Sequence, residues 1–300
     1  MSIVVVGSIA FDDVITKQKI VKNALGGSAL FFTAAASHFA PVYMIGVVGD
    51  DFPLDELDFL KRRGVNTDGI KVIKGGKTFR WAGEYEIDMN KRKTTGLDLN
   101  VFEDFNPVLD NSSRNAPFVF LGNIQPELQL KVLEQVESPE FIAADTIECY
   151  LEDSPDIFRE VLKRIHLLFI NDSEALLFTG KNNIISAART LLGWGPEYVI
   201  IKKGEHGSLL ISDEMFFVVP AYPVENVVDP TGAGDSYAGG VMGYIAKMNS
   251  IDPETIKTAV VYGGLVASFL VEGFSIDTLK AMSLADIEER MRHFRALTDF

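Results

Sequence analysis

The chain has 300 residues, 47% of them hydrophobic, enough to bury a large core; length alone allows two domains, and one α/β domain with a small insertion is the expectation. Its 28 basic residues against 42 acidic ones give a formal charge of −14, which excludes binding nucleic acid or an anionic membrane through a broad basic surface. A lone Cys149 excludes a disulfide framework, and His38, His166, His206 and His293 have no metal-ligand spacing.

The segment Met1 to Gly7 lacks a basic leader and meets Asp12-Asp13 soon after its apolar run. It is expected to be a first strand, Ile3–Val6, rather than a signal peptide, in a cytoplasmic protein. Gly7-Ser8-Ile9-Ala10-Phe11-Asp12 then puts a carboxylate just beyond that strand, where open α/β sheets bind ligands. A carboxylate accepts two hydroxyl hydrogen bonds at once, which suits a diol, although Asp12 also fits a solvated turn. No GxGxxG turn follows Gly7, so the dinucleotide-binding reading lacks its phosphate loop. Gly26-Gly27-Ser28 precedes a helix over Ser28–Phe39, either as a plain turn or as backbone open to a ligand.

Short β-branched runs at Val42–Ile45, Phe118–Leu121, Phe141–Ala144 and Leu167–Ile170 alternate with helical segments at Leu54–Lys61, Leu128–Val136 and Ile157–Lys163. That alternation predicts parallel strands with crossover helices. Between them, Gly75-Gly76-Lys77-Thr78 imitates the tail of a Walker A loop, but Lys71 stands where its first glycine is required. From Lys77 to Phe102 the rhythm breaks into exposed strands, Thr78 to Ile87 and onward, through a charged turn at Asn90 to Lys93. Phe79, Trp81, Gly83 and Tyr85 would share one face there as an aromatic wall.

Asn171-Asp172-Ser173-Glu174 follows a strand and has the spacing of a helix capping box. Lys202-Lys203-Gly204 ends another strand, and Tyr198–Ile201, Leu209–Ile211 and Phe216–Val219 lie close enough to pair antiparallel. The most informative stretch runs from Val228 to Gly240, Val-Asp-Pro-Thr-Gly-Ala-Gly-Asp-Ser-Tyr-Ala-Gly-Gly. Small residues at the mouth of a helix leave successive backbone N–H groups uncovered, a concave site for an anion. Asp235 at its edge fits a base for a hydroxyl attacking phosphorus, and equally a residue that favours a helix N-terminus. The uncharged stretch Thr258 to Val271 is too short to span a bilayer and suits a buried helix. Gly239, Gly240, Gly243, Gly263 and Gly264 in helical stretches call for close packing.

From Asp229 to Met242 the chain resembles the C-terminal signature of the ribokinase family, the PfkB carbohydrate kinases, and the likeness extends back to Gly7. It implies a ribokinase-like three-layer α/β/α fold in one domain, 1–300, with a mostly parallel central sheet and a small β lid from about 10–22 and 77–102. In relatives such a lid covers the acceptor and often pairs with another subunit's lid, so a homodimer is an expectation; an ordinary edge hairpin is the alternative. The resemblance implies that Asp235 is the catalytic base and that the amides of Gly232, Ala233, Gly234 and Asp235 form the anion hole. Mg-ATP is the implied donor, with Glu174 organising Mg²⁺ and its waters. Asn171, Lys202, Gly204, Thr231, Gly232 and Gly234 line the implied nucleotide side, and the stretch from Tyr262 to Ser275 flanks the adenine. Asp12, Gly26 and Gly27 hold the implied acceptor. Phe31 stands where the family usually has an asparagine, and Trp81 lies on the lid. The expected reaction is phosphorylation of a hydroxyl on a small polyol, a sugar first, a nucleoside or cyclitol as the alternative. A non-catalytic nucleotide-binding regulator is the alternative of another class, against which the intact Asp235 argues.

Overall fold

Apolar residues alternating with period two split each central strand between two cores. In β1 (Ile3–Val6), Ile3 and Val5 enter one hydrophobic cluster while Val4 and Val6 enter the other. Such a strand is buried on both faces and needs a helical layer on each side. The computed structural model describes every residue except 18, 87, 88, 90 and 300.

In chain order there follow β2 (Ala10–Ile15), β3 (Ile20–Gly26), α1 (Ser28–Ala36), β4 (Val42–Gly49), α2 (Asp58–Arg62), β5 (Ile70–Ile73), β6 (Phe79–Tyr85) and β7 (Arg92–Asp98). The middle of the chain forms α3 (Asn111–Arg114), β8 (Phe118–Leu121), α4 (Pro126–Leu133), β9 (Phe141–Ala144), α5 (Glu148–Asp153), α6 (Pro155–Leu162), β10 (Leu167–Asn171), α7 (Asp172–Thr179) and α8 (Ile184–Leu192). It closes with β11 (Tyr198–Lys202), β12 (Ser208–Ile211), β13 (Phe216–Val219), α9 (Ala233–Met248), α10 (Pro253–Leu270), α11 (Asp277–Ala281) and α12 (Leu284–Thr298).

Among the described residues, the large sheet has nine strands in the order β13-β12-β11-β10-β9-β8-β1-β4-β5. It is parallel from β11 to β5 and antiparallel through β12 and β13, as the sequence predicts. Residues of α1, α9, α10, α11 and α12 pack on one face and those of α4 to α8 on the other. The chain passes from β1 to β4 on one side and later returns to β8 on the other. That reversal opens a crevice beyond the carboxyl ends of the strands.

The remaining strands form a second sheet, β3-β2-β6-β7. Its β2 and β6 run parallel, flanked by antiparallel β3 and β7. The expected lid segments are therefore strands, with two differences. Arg92 and Lys93, expected in the charged turn, already belong to β7, while Ile87 and Asn90 lie outside the described residues. Strand β3 extends to Gly26, past the expected limit at 22, and is largely exposed, so it has no buried face to announce it.

Helix glycines permit close crossings. A Cβ on Gly239 of α9 would stand 2.4 Å from the carbonyl oxygen of Phe32 in α1, and one on Gly263 of α10 would stand 2.8 Å from that of Tyr237. Packing thus accounts for both, and brings α1 and α10 against the helix whose N-terminus forms the site. Gly264 differs, since a Cβ there would meet no described atom within 4 Å.

Candidate active site

The turn before α9 is built by Asp229 and a glycine. Asp229 Oδ1 accepts the Thr231 N–H at 2.9 Å, and Gly232 follows at φ 77°, a left-handed conformation that suits glycine. A Cβ on Gly232 would also stand 2.3 Å from Cγ of Phe31, whose buried ring lies directly against this turn. Ala233 donates its amide to Pro230 O at 3.1 Å, whereas among the described residues the amides of Gly232 and Gly234 meet no acceptor. Of the amides expected to form an anion hole, that of Ala233 is therefore engaged, and those of Gly232 and Gly234 stay open at the helix end. Asp235 sits one residue deeper, within α9's first turn.

Adjacent strand ends supply the next group. Asn171, last in β10, is in register with Lys202, last in β11, while Asp145 follows β9 immediately. Lys202 Nζ donates to Asp145 Oδ2 at 2.5 Å, with side-chain exposures of 17% and 3%. It also stands 3.1 Å from where a Cβ on Gly234 would be, so the ammonium lies beside the N-terminus of α9. Asn171 Oδ1 accepts the Glu174 N–H at 2.8 Å and Glu174 Oε2 accepts the Asn171 N–H at 3.0 Å. The capping box is therefore made, and it aims a buried carboxylate at the same space. Gly204 opens a short 3-10 turn after β11 with φ 53°.

The lid completes the enclosure. Asp12 lies within β2 rather than in a loop, and it is 5% exposed. Gly26 explains how it is held: a Cβ there would stand about 1.9 Å from Asp12 Oδ2. Gly27, at φ 98°, caps α1 and lets the backbone of Ser8 approach. Trp81 is in register with Asp12 across the parallel pair, so both share a lid face. Four residues on, Tyr85 meets Thr231 Oγ1 through its hydroxyl at 3.0 Å, which ties that face to the anion-hole turn. Trp81 donates Nε1–H to Thr94 at 3.3 Å and crosses Gly83, where a Cβ would come 2.1 Å from the ring. Phe79 leaves the anticipated wall, because its ring stacks on Phe102 at 5.4 Å and joins the core.

Two contributors have no motif to mark them. Asp145 had one legible signal, the carboxylate at the end of an apolar strand that drew attention to Asp12. Arg92 had none; it is paired with Tyr85, and its guanidinium stands 5.2 Å from the Trp81 ring centroid.

Burial, and then mutual repulsion, weaken these carboxylates as acids. Asp12 is pushed up to about 8, first by burial and then by the charges of Asp229 and Asp235. Asp235 is pushed up to about 7 by burial and by Asp145, against the pull of Lys202 and Arg92. Glu174 rises to about 7, again by burial first, with Lys202 opposing. For Lys202, burial works against the ammonium, but the charges of Asp145 and Glu174 outweigh it and raise its pKa.

Clustered carboxylates with oxygen donors fit a hard divalent cation. Among the described residues, however, no group of three or more His, Cys, Asp or Glu side chains is disposed to grip an ion directly. An ion held here would keep its waters and meet Glu174 through them, as the family resemblance implies. Glu174→Gln preserves the cap, since the amide oxygen still accepts the Asn171 N–H, but removes the charge. We expect the Mg²⁺ concentration for half-maximal activity to rise by about 10-fold, the lower end of outer-shell effects, with little change in Tm. An unchanged magnesium titration would leave Glu174 as a cap alone.

The model of the pfkB family carbohydrate kinases matches residues 2–279. Cytidine kinase of Thermococcus kodakarensis is 31% identical over 249 residues, 81% of this chain and 87% of that protein. Among solved structures, the nucleoside kinase of Methanocaldococcus jannaschii, a ribokinase-family member, superposes with a TM-score of 0.77 at 21% identity over 97% of this chain and 98% of its own. Aminoimidazole riboside kinase from Salmonella enterica, complexed with aminoimidazole riboside and an ATP analog, gives a TM-score of 0.74 at 19% identity over 97% and 100%. The architecture is ribokinase-like, and no helix of the described residues is long and apolar enough to cross a membrane. With its family signature matched over most of its length, the chain belongs to the pfkB carbohydrate kinases, ATP-dependent kinases of small molecules.

Proposed function

We propose that the acceptor is a nucleoside and that the γ-phosphoryl of ATP is moved onto a hydroxyl of its sugar. One observation carries this choice over a simple sugar: Asp12 and Trp81 lie side by side in register on the lid face above the α9 turn. A carboxylate that can accept two hydroxyls beside an indole suits a molecule with a diol at one end and a flat ring at the other. Phe31 supports this indirectly. It fills the space against Gly232 with an apolar ring where a sugar-binding relative would offer an amide. The cytidine kinase likeness points the same way.

In this reading Asp12, seated on Gly26 and flanked by Gly27, holds the diol. Asp235 accepts the proton of the attacking hydroxyl, and the Gly232 and Gly234 amides receive the transferring charge. Asn171, Lys202, Gly204 and Thr231 border the nucleotide side. Mg²⁺, when bound through water to Glu174, would neutralise charge on the ATP phosphates. Tyr85 helps by clamping the lid to Thr231.

The test is an ADP-release assay over nucleosides, pentoses, hexoses and cyclitols, with Trp81→Ala alongside the wild type. We expect the highest kcat/KM for a nucleoside and, for Trp81→Ala, an acceptor KM raised about 10-fold with the ATP KM little changed. A sugar preferred over every nucleoside, with Trp81→Ala neutral, would overturn the nucleoside reading.

A further inference from the structure

We infer that Lys202 is a catalytic residue that touches the transferring phosphoryl group, and that Asp145 is the positioning residue that presents it. The inference rests on the phosphotransfer reading above and deepens it.

A lysine at a strand end ordinarily extends its ammonium into water. Here the side chain is 17% exposed and turned back over the N-terminus of α9, with Nζ beside Gly234. Its partner is fixed. Asp145 Oδ1 accepts the Thr146 N–H at 2.9 Å, its backbone N–H reaches Leu121 O at 3.0 Å, and its carbonyl accepts from Gln129 Nε2 at 3.0 Å. Oδ2 is left for Lys202.

The result is a cation and a helix N-terminus converging on one space. Both are positive, so their convergence suits an anion that enters between them. An ammonium has three N–H donors. With one given to Asp145, two remain for phosphoryl oxygens, and no large movement is required. The charged groups facing Lys202 are Asp145 after β9, Glu174 on α7 and Asp235 on α9, with Arg92 on the lid also acting on the latter two. Lys202 favours the ionised form of Asp235, whereas Asp145 opposes it. The pair therefore sets the base as well as the anion hole.

Lys202→Met, Lys202→Arg and Asp145→Asn separate this from a structural ion pair. We expect Lys202→Met to lower kcat by about 10²–10³, as for removal of one donor to a developing anion, with the acceptor KM nearly unchanged. Lys202→Arg should recover part of the loss. The acid limb of the rate profile should move up in pH for Lys202→Met and down for Asp145→Asn, a pair of opposite shifts that mere loosening of the fold does not produce.

Calorimetry adds a readout independent of turnover. If Lys202 touches the transferring group, Lys202→Met should weaken ATP about 10-fold more than ADP, a charged contact's worth. Equal weakening of both nucleotides, or a kcat within fivefold of wild type, would overturn the inference while leaving the kinase reading intact. A wild-type protein that phosphorylates none of the acceptor panel would instead count against the kinase reading, and the ATP-to-ADP comparison would still decide Lys202.

Discussion

Asp235→Asn is expected to lower kcat by about 10²–10⁴, the usual contribution of a positioned general base, while ATP binding and the fold persist. Asparagine matches the carboxylate in shape but cannot take the hydroxyl proton. The pH profile gives a second signature. Because burial first, and Asp145 after it, push the carboxyl up to about 7 in the free protein, kcat/KM for the acceptor should climb with pH to about 7 and then level. The variant should lose that limb with its turnover. Stability should change in the opposite sense. A carboxyl whose folded-state pKa lies above its ordinary 3.8 binds more protons folded than unfolded, so its contribution is intact below that value and is lost as pH rises through about 7. Asp235→Asn removes that loss, and the ligand-free variant should melt higher than wild type at pH 8 and alike at pH 4. Wild-type turnover in the variant would remove Asp235 from the chemistry.

Legibility followed burial. The central strands announce themselves because a doubly buried strand is a short unbroken apolar run, as in Phe118–Leu121, and α9 because its glycine turn precedes a helical apolar pattern. Strand β3 did not, since its residues face water on most sides and no period survives in them. Helix ends drifted for a local reason: α1 stops at Ala36, three residues before Phe39, where the chain tightens into turns that still bury apolar side chains. Among the candidate site residues, motifs singled out Asp235, Glu174 and Lys202, but they could not separate cap from ligand at Asn171 to Glu174, because one geometry serves both. Alternation placed Phe79 and Trp81 on one face of β6 without telling depth, and it is depth that sends Phe79 into the core. Asp145 needed the sheet itself, which brings the ends of β9, β10 and β11 together from distant parts of the chain.

Asp12→Ala is expected to raise the acceptor KM by about 100-fold, which two hydrogen bonds to a charged acceptor at about 1.5 kcal/mol each would give, and to leave the ATP KM within a few fold. The asymmetry follows from where Asp12 lies: on the lid, seated against Gly26 and near Asp235, whereas Asn171 and Lys202 end adjacent strands of the large sheet. Asp12→Asn should fall between, since an amide still accepts one hydroxyl. The same residue carries a stability test with a definite sign. Its carboxyl is pushed up to about 8, by burial first and then by Asp229 and Asp235, so in the free protein it is held protonated near neutrality and is forced to ionise only in alkali. Its contribution to stability is full below pH 3.8 and disappears as pH rises through about 8, so Asp12→Asn should raise Tm at pH 9 and change it little at pH 4. An acceptor's hydroxyls reverse the balance, because they donate to the ionised form. Acceptor binding should therefore release a proton from Asp12 near pH 7.5, measurable as a buffer-dependent binding enthalpy in calorimetry. A binding enthalpy that does not vary with buffer, or ATP and acceptor KM rising together in Asp12→Ala, would show that Asp12 shapes the lid without meeting the acceptor.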